Sequence, residues 1–505
     1  AVLAVDEETA RRAHLAVIQK FGPNVKVAVK NPKDPQTMLA IENLKNKGLI
    51  VDLFLVSGHS LKKAWNSYAL LPKEKENVTG VIDITPENLE KLQKQIRYVD
   101  DFKDVYLRAA LKNATAVLEL FIAGSLALSS SDVHVEPQED RAVVRFRIDG
   151  VLVEVAVLDK KMYALLAGRI KLLSKMKLNV TSSPQDGRFS IVSQDAATEV
   201  RTSVLPGPNG ESLVMRILNP KTISIPLEEL GLMEHDLLLV REELKRPNGL
   251  ILVTGPTGSG KTTTLYAFLK KINTPEVKII TIEDPIEYHI EGISQSQVSA
   301  DAGYTFASGL RSILRQDPDV MLVGEIRDME TADIALHAAL TGHLVFSTLH
   351  TNDAPSAILR LIDMKLSPSI IAPAINLLIA QRLVRKVCAR CSLKSPLTKE
   401  ELAKFKAVFA DLSPRAAAPH PDERTEIPRA SGCKACNNMG YKGRIGLFEM
   451  FQVDKESEEV IVSKPTQTHL LDMAKRKGMI SIKQDGFLKV LSGITTLEEV
   501  EAVAG

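Results

Sequence analysis

The chain has 505 residues, 45% of them hydrophobic and 25% charged. This globular composition excludes a wholly disordered or collagen-like polymer, and at roughly 150 residues per domain it predicts about three domains. Lys and Arg number 64 against 62 Asp and Glu, and aromatics make up 5%, with Trp65 the single tryptophan. Such a chain exerts no global pull on nucleic acid or anionic lipid and offers few faces for stacking bases.

At the N-terminus, Asp6, Glu7 and Glu8 stand where a signal peptide would be positive. Residues 1–97 are expected to form a first α+β domain with short strands such as Val25–Val29 and Asp52–Val56, and no chemical constellation lies there. From 98 to 219 a long helix is expected to lead into alternating strands and turns. In that region Ala142–Ile148 followed by Asp149-Gly150 reads as a strand entering a hairpin. Residues 220–232 read as a linker. From 233 to 385, apolar strands alternate with helical patterns, which predicts an α/β domain with a parallel sheet. The apolar stretch Leu366–Gln381 is interrupted by Pro368, Pro373 and Asn376 and is too short to span a bilayer, so no transmembrane segment is expected. Residues 386–436 contain all the cysteines and a loop, Arg415–Pro421. The tail, 437–505, reads as helical after Gly446.

The 233–385 segment carries the chemistry. Gly255-Pro-Thr-Gly-Ser-Gly-Lys261-Thr262 fits G-x-x-x-x-G-K-[ST] between the apolar run Leu250–Val253 and a helical pattern. In that context Gly255, Pro256, Thr257, Gly258, Ser259, Gly260, Lys261, Thr262 and Thr263 are expected to bind a nucleotide, ATP. Backbone N–H groups would wrap the phosphates, Lys261 would reach the β/γ-phosphates, and Thr262 would hold Mg2+. Three further apolar strands end in polar groups: Glu283 and Glu287, Glu325, and His350. Ligands of open α/β sheets sit beyond the carboxyl ends of the strands, so these side chains are expected in one cleft. Glu325 suits a metal-side carboxylate acting on Mg2+ through water, and Glu283 suits the water-activating base, although the two could exchange roles. His350 suits a γ-phosphate sensor, with His343 the weaker candidate.

The four cysteines form two pairs, Cys388-Ala-Arg-Cys391 and Cys433-Lys-Ala-Cys436, a pattern that predicts one structural Zn2+ on all four thiolates. Outside the nucleotide domain, Arg188, Arg201 and Arg216 are candidates to neutralise charge on the transferred phosphoryl group, while Arg327 is expected to pair with local acids.

Several longer motifs resemble the secretion ATPases that drive type IV pilus assembly and type II secretion. Thr281–Tyr288 is similar to that family's Asp box, Leu314–Asp328 to its Walker B box, and Thr341–Asn352 to its His box. Ser131–Pro137, Pro184–Phe189 and Met215–Leu218 resemble its second N-terminal domain, and Ala380–Arg385 leads into Cys388 as its tetracysteine element does. The resemblance covers about 98–505. It implies a RecA-like ATPase core preceded by smaller α+β domains, and a homohexameric motor in the cytoplasm at the inner membrane. An inner-membrane platform protein and a membrane-associated adaptor are the implied partners. Arg188 and Arg201 are implied as the arginines that close the cleft. The tetracysteine element points away from the pilus-retraction branch. Lys365 stands where the family usually has Gly. A nucleic-acid translocase on the same core is the alternative of another class, and the neutral charge and few aromatics count against it.

Overall fold

The computed structural model describes the chain except for residues 1–4, 6, 22–23, 47–48, 70–85, 110–112, 193–196, 219–224, 417–419, 464 and 505. The chain divides into two compact units, residues 1–79 and 80–505. In the first unit, β1 (Leu15–Phe21), β2 (Asn24–Val29) and β3 (Ile50–Leu55) form one sheet in that order. Both strands expected there are present. Trp65 packs in this unit's core and donates its indole N–H to the Leu15 carbonyl at 2.9 Å.

The second unit opens with the helices Pro86–Gln95, Val99–Ala109 and Ala114–Ala127. Leu89 and Ile96 precede the expected boundary at 97/98, yet both are buried in this unit's first core: Leu89 and Leu92 share one face of helix Pro86–Gln95, and Ile96 follows its end. The sheet below runs β6 (Val151–Asp159), β5 (Arg141–Ile148), β4 (Asp132–Pro137), β9 (Gly210–Leu218), β8 (Ala197–Gly207), β7 (Gln185–Val192), all antiparallel. The β5–β6 hairpin turns on Asp149 and Gly150, at φ 49° and 89°, the type I′ pattern for which Asp-Gly is suited. One insertion escaped the strand-and-turn expectation: Lys160–Leu173 is a helix, capped by Asp159, whose side chain accepts from the Met162 amide. Part of the expected linker, 220–224, lies outside the described residues, as does 417–419 of the expected loop.

The second sheet has seven strands in the order β12 (Ser294–Gln297), β11 (Ile279–Glu283), β13 (Val320–Val323), β14 (Leu344–Leu349), β10 (Gly249–Thr254), β15 (Ile375–Val387), β18 (Tyr441–Gln452). All pairings are parallel except the last, β15 with β18. Strands β10, β11, β13 and β14 are buried along their whole length, as expected of a sheet covered on both faces. The helical tail therefore begins later than Gly446. Gly446 lies in mid-strand, and Leu447 and Phe451 of β18 complete the sheet's core. The nearly continuous apolar run Ile445–Phe451, interrupted by Glu449, carried that signal. Between β15 and β18, a small hairpin of β16 (Leu393–Pro396) and β17 (Glu426–Arg429) flanks the helix Lys399–Phe409. Among the described residues no helix is long and apolar enough to cross a membrane.

Candidate functional site

The loop after β10 is shaped by three glycines at positive φ: Gly255 at 144°, Gly258 at 80° and Gly260 at 91°. Close contacts to Gln381 add to this at two of them, with backbone at Gly255 and with side chain at Gly260. A Cβ on Gly255 would fall 2.5 Å from the Gln381 carbonyl oxygen, and one on Gly260 would fall 2.8 Å from Gln381 Nε2. Strand β15 thus packs directly against the loop, and only glycine fits there. Helix Lys261–Ile272 follows, and its first amides have no intrahelical acceptors, leaving a positive end aimed at the loop's concavity. Ser259 Oγ is buried without a partner among the described residues, a donor suited to a phosphate oxygen. The glycine cradle, the free amides and this hydroxyl fit a nucleotide's phosphates.

Lys261 Nζ donates to the Gly255 and Pro256 carbonyls at 2.9 and 3.2 Å. Burial lowers its pKa, the carboxylate of Glu325 opposes that shift, and the guanidinium of Arg382 adds to it. Glu325 sits at the end of β13, mostly buried. One of its oxygens pairs with Arg327, and the other lies 3.6 Å from His350 Nε2 at the end of β14. Arg327 also approaches Asp284 at 3.6 Å, so it is held by local acids as expected. The hydrogen bond to Glu325 raises its pKa. Lys261, Thr262, Glu325 and His350 thus arise from adjacent strand ends. The hydroxyl of Thr262 and the carboxylate of Glu325 are hard oxygen donors of the kind Mg2+ prefers, and that ion would neutralise phosphate charge.

Glu283 closes β11 and is almost wholly buried, 3% exposed. Its Oε1 accepts from Thr281 Oγ1 at 2.5 Å and Gln295 Nε2 at 3.2 Å, and its Oε2 accepts from the Tyr266 hydroxyl. Burial, reinforced by the nearby Glu283 charge, pushes the Tyr266 phenol far above its ordinary pKa, so it stays a donor. Three neutral donors therefore fix the orientation of this carboxylate. Four residues on, Glu287 has its pKa raised by burial, against the pull of Arg201.

Arg201 reaches across from the antiparallel sheet. Its Nη1 lies 3.5 Å from Glu287, and its Nη2 donates to the Ile286 carbonyl at 2.5 Å. It belongs to a row of directly paired residues: Arg188 on β7, Arg201 on β8, Arg216 on β9, Asp132 on β4 and Arg147 on β5. Asp132 engages Arg216 at 3.1 Å and Arg147 at 3.5 Å. Arg188 is 68% exposed, with Glu199 4.0 Å away as its ionic partner. Of the three candidate arginines, Arg201 touches the nucleotide domain. His343 lies at the opposite end of β14 from His350, and its Nδ1 meets the Ala338 carbonyl at 3.1 Å, holding the helix-to-strand turn.

Sequence reasoning missed Tyr266, Gln295, Gln381 and Arg382. Tyr266 looks like a core residue of its helix and is one, with only its hydroxyl on Glu283. Arg382 braces the cleft from β15, donating to the Gln381 and Asn352 carbonyls, each at 3.0 Å. The position of β15 beside β10 would have pointed to it.

The four cysteine Sγ atoms lie within 4.8 Å of one another. Cys391–Cys436, Cys433–Cys436 and Cys388–Cys433 are separated by 3.7, 3.8 and 4.0 Å. A tetrahedron with Zn–S bonds of ~2.3 Å has edges of about 3.8 Å, so the set fits zinc. The Cys433 and Gly440 amides both point at Cys436 Sγ from 3.2 Å, as they would at a thiolate. Burial resists ionisation of Cys436, but these donors outweigh it and draw the thiol down to about 7.

The family model described as "Type II/IV secretion system protein" matches residues 111–502. The chain is 45% identical over 384 residues to "Type II secretion system protein E" of Pseudomonas aeruginosa, covering 76% of this chain and 74% of that protein. It is 36% identical over 503 residues to "Type IV pilus assembly ATPase PilB" of Myxococcus xanthus, covering 98% of this chain and 85% of that one. Among solved structures, that of the pilus retraction motor PilT with bound ADP aligns at TM-score 0.52 and 27% identity, over 76% of this chain and 96% of that one.

Proposed function

The chain belongs to the type II/IV secretion system protein family, and from that premise we propose that it is the ATPase motor of type IV pilus assembly. It is an ATPase: its relatives include proteins named as such, and one solved relative holds ADP. The observation that favours pilus assembly is coverage. The pilus-assembly ATPase aligns with 98% of this chain, first unit included, whereas the type II secretion relative aligns with 76%. Type II protein secretion is the second reading, supported by the higher identity over the shared part.

In this reading, the first unit, residues 1–79, engages a membrane-associated adaptor, and the part of the second unit up to 219 supplies the arginines. Residues 220–232 connect to the RecA-like core, 233–385, and 386–436 hold zinc. The C-terminal part, 437–505, adds β18 to the core's sheet and packs its helices on it. Six copies form a ring at the cytoplasmic face of the inner membrane and move a platform protein. ATP lies on the Gly255–Thr263 loop with Mg2+ held by Thr262 and Glu325. Glu283, oriented by its three donors, accepts the proton of the attacking water. His350 senses the γ-phosphate through Glu325. Arg201, with Arg188 outside it, brings positive charge to the transferred group.

Disrupting the gene in its own host separates the readings. Pilus assembly predicts bald cells that still secrete their exoproteins. Piliated cells that retain exoproteins would instead support type II secretion.

A further inference from the structure

The cysteine element touches the arginine-bearing domain at four points that the nucleotide reading does not use. Asn437, next to Cys436, places its Oδ1 2.8 Å from the Val99 amide. Val99 opens a helix whose first amides lack intrahelical acceptors, so a residue far along the chain caps it. Lys434, between Cys433 and Cys436, lies 3.6 Å from Asp101 and 5.4 Å from the Tyr98 ring centroid. Met439 packs against the core of helices and sheet that carries the arginines. The Gly443 amide donates to Asp149 at the tip of the β5–β6 hairpin, at 2.8 Å.

The shape that makes these contacts depends on the cysteines. Asn437 and Asn438 are both left-handed, at φ 51° and 60°. Asn adopts that region readily, and the turn is held by the Asn438 amide on the Cys433 carbonyl, the Met439 amide on the Cys436 carbonyl, and the Cys433 and Gly440 amides on Cys436 Sγ. The Cys388 amide meets the Gly440 carbonyl at 2.9 Å, tying the other cysteine pair to the same turn. A staple serving only its own loop would need none of the contacts to Val99, Asp101 and Asp149.

We propose that the metal-closed cysteine element is a clasp that holds the arginine-bearing domain against the nucleotide domain. This rests on the zinc reading above. Metal on the four thiolates fixes Lys434–Gly440, that segment grips the start of helix Val99–Ala109 beside the contact that β18 makes with the β5–β6 tip, and the two together set where Arg201 stands over Ile286 and Glu287. Loss of the metal frees the segment and lets the arginine row drift from the cleft.

Hydrogen exchange on the full chain tests this without reference to activity. The arms are the protein as purified, the protein after chelation, and an Asn437→Ala/Asp149→Ala double variant, each with its zinc measured. Stoichiometric zinc is expected in the first and third. Exchange at 98–102 is expected to quicken about tenfold or more in the second and third, with 249–254 unchanged. Should chelation also deprotect 249–254, the domain has unfolded and the double variant decides. Unchanged exchange at 98–102 in the double variant overturns the clasp, as does unchanged exchange in a stripped, folded protein. Absence of zinc from the purified protein overturns the metal reading instead, and quickened exchange in the double variant then still upholds the contacts.

Discussion

Lys261, Glu283 and Glu325 sit in different surroundings, and the expected losses differ accordingly. Lys261→Ala removes the cation that the loop holds over its own carbonyls, and turnover is expected to fall at least about a hundredfold. Glu325→Gln and Glu283→Gln keep shape while removing the charge and one acceptor oxygen, so turnover should drop with ADP binding retained. Phosphate release beside binding of a fluorescent nucleotide measures both, and near-normal turnover in both Gln variants would refute the roles. Lys365 poses a different question. Its φ is 69°, and the Leu366 amide reaches back to the Leu361 carbonyl, the pattern of a helix end that favours glycine. A glycine at this site would thus have a backbone reason, and lysine bears the strain. Lys365 is exposed, so Lys365→Gly should stabilise the chain by about 0.5–1 kcal/mol. A urea midpoint that does not rise would contradict this.

At the scale of elements, β18 brings a carboxylate into the core. Glu449 accepts from the Ala354 amide at 2.8 Å and the Ile482 amide at 3.4 Å. Burial, with some repulsion from Asp353, pushes its pKa up to about 7 despite those amides and Arg382. The folded state therefore holds this proton up to about pH 7, while the unfolded chain releases it near the ordinary value of 4.5. Stability from this group is complete below about pH 4.5 and is lost as pH rises through about 7. The loss amounts to about 3 kcal/mol at most. Between pH 5 and pH 8 the melting temperature of Glu449→Gln should therefore fall less than the parent's; an equal fall in both would count against the assignment.

For the whole molecule, the outcome turns on whether the antiparallel sheet must lie over the nucleotide. Arg201→Ala should leave ATP affinity within about tenfold, ~1.4 kcal/mol, while hydrolysis falls much further, because charge neutralisation acts on the transition state. Arg188→Ala, starting from a 68% exposed side chain, tests whether the row works as a unit. Wild-type turnover in both variants would remove the case for closure. Strand ends, the glycine loop and paired cysteines were legible in the sequence, because each is a local spacing with a local physical cause. What escaped it depends on neighbours distant in the chain. The hydroxyl of Tyr266 finds Glu283, Gln381 blocks the space above Gly255, and Asn437 caps Val99, three partnerships that no window of sequence contains. Strand β18 was missed for a different reason: its apolar run, Ile445–Phe451, is a local signal, but Gly446 reads as the end of extended structure.

The pairing of β15 with β18 has a consequence for how the protein is made. Strand β15, thirteen residues long, lies between β10 on one side and β18 on the other, and β18 ends only at Gln452. While the ribosome is still short of that point, the nascent nucleotide domain presents a long apolar strand, Ile375–Ala380 buried throughout in the finished fold, with one side unpaired. An open edge of this kind recruits strands from other chains. A gene fragment cut after residue 385 is thus expected to yield an insoluble polypeptide, whereas one extended past β18 and its covering helices should stay in solution. Expression of the two fragments side by side would show it.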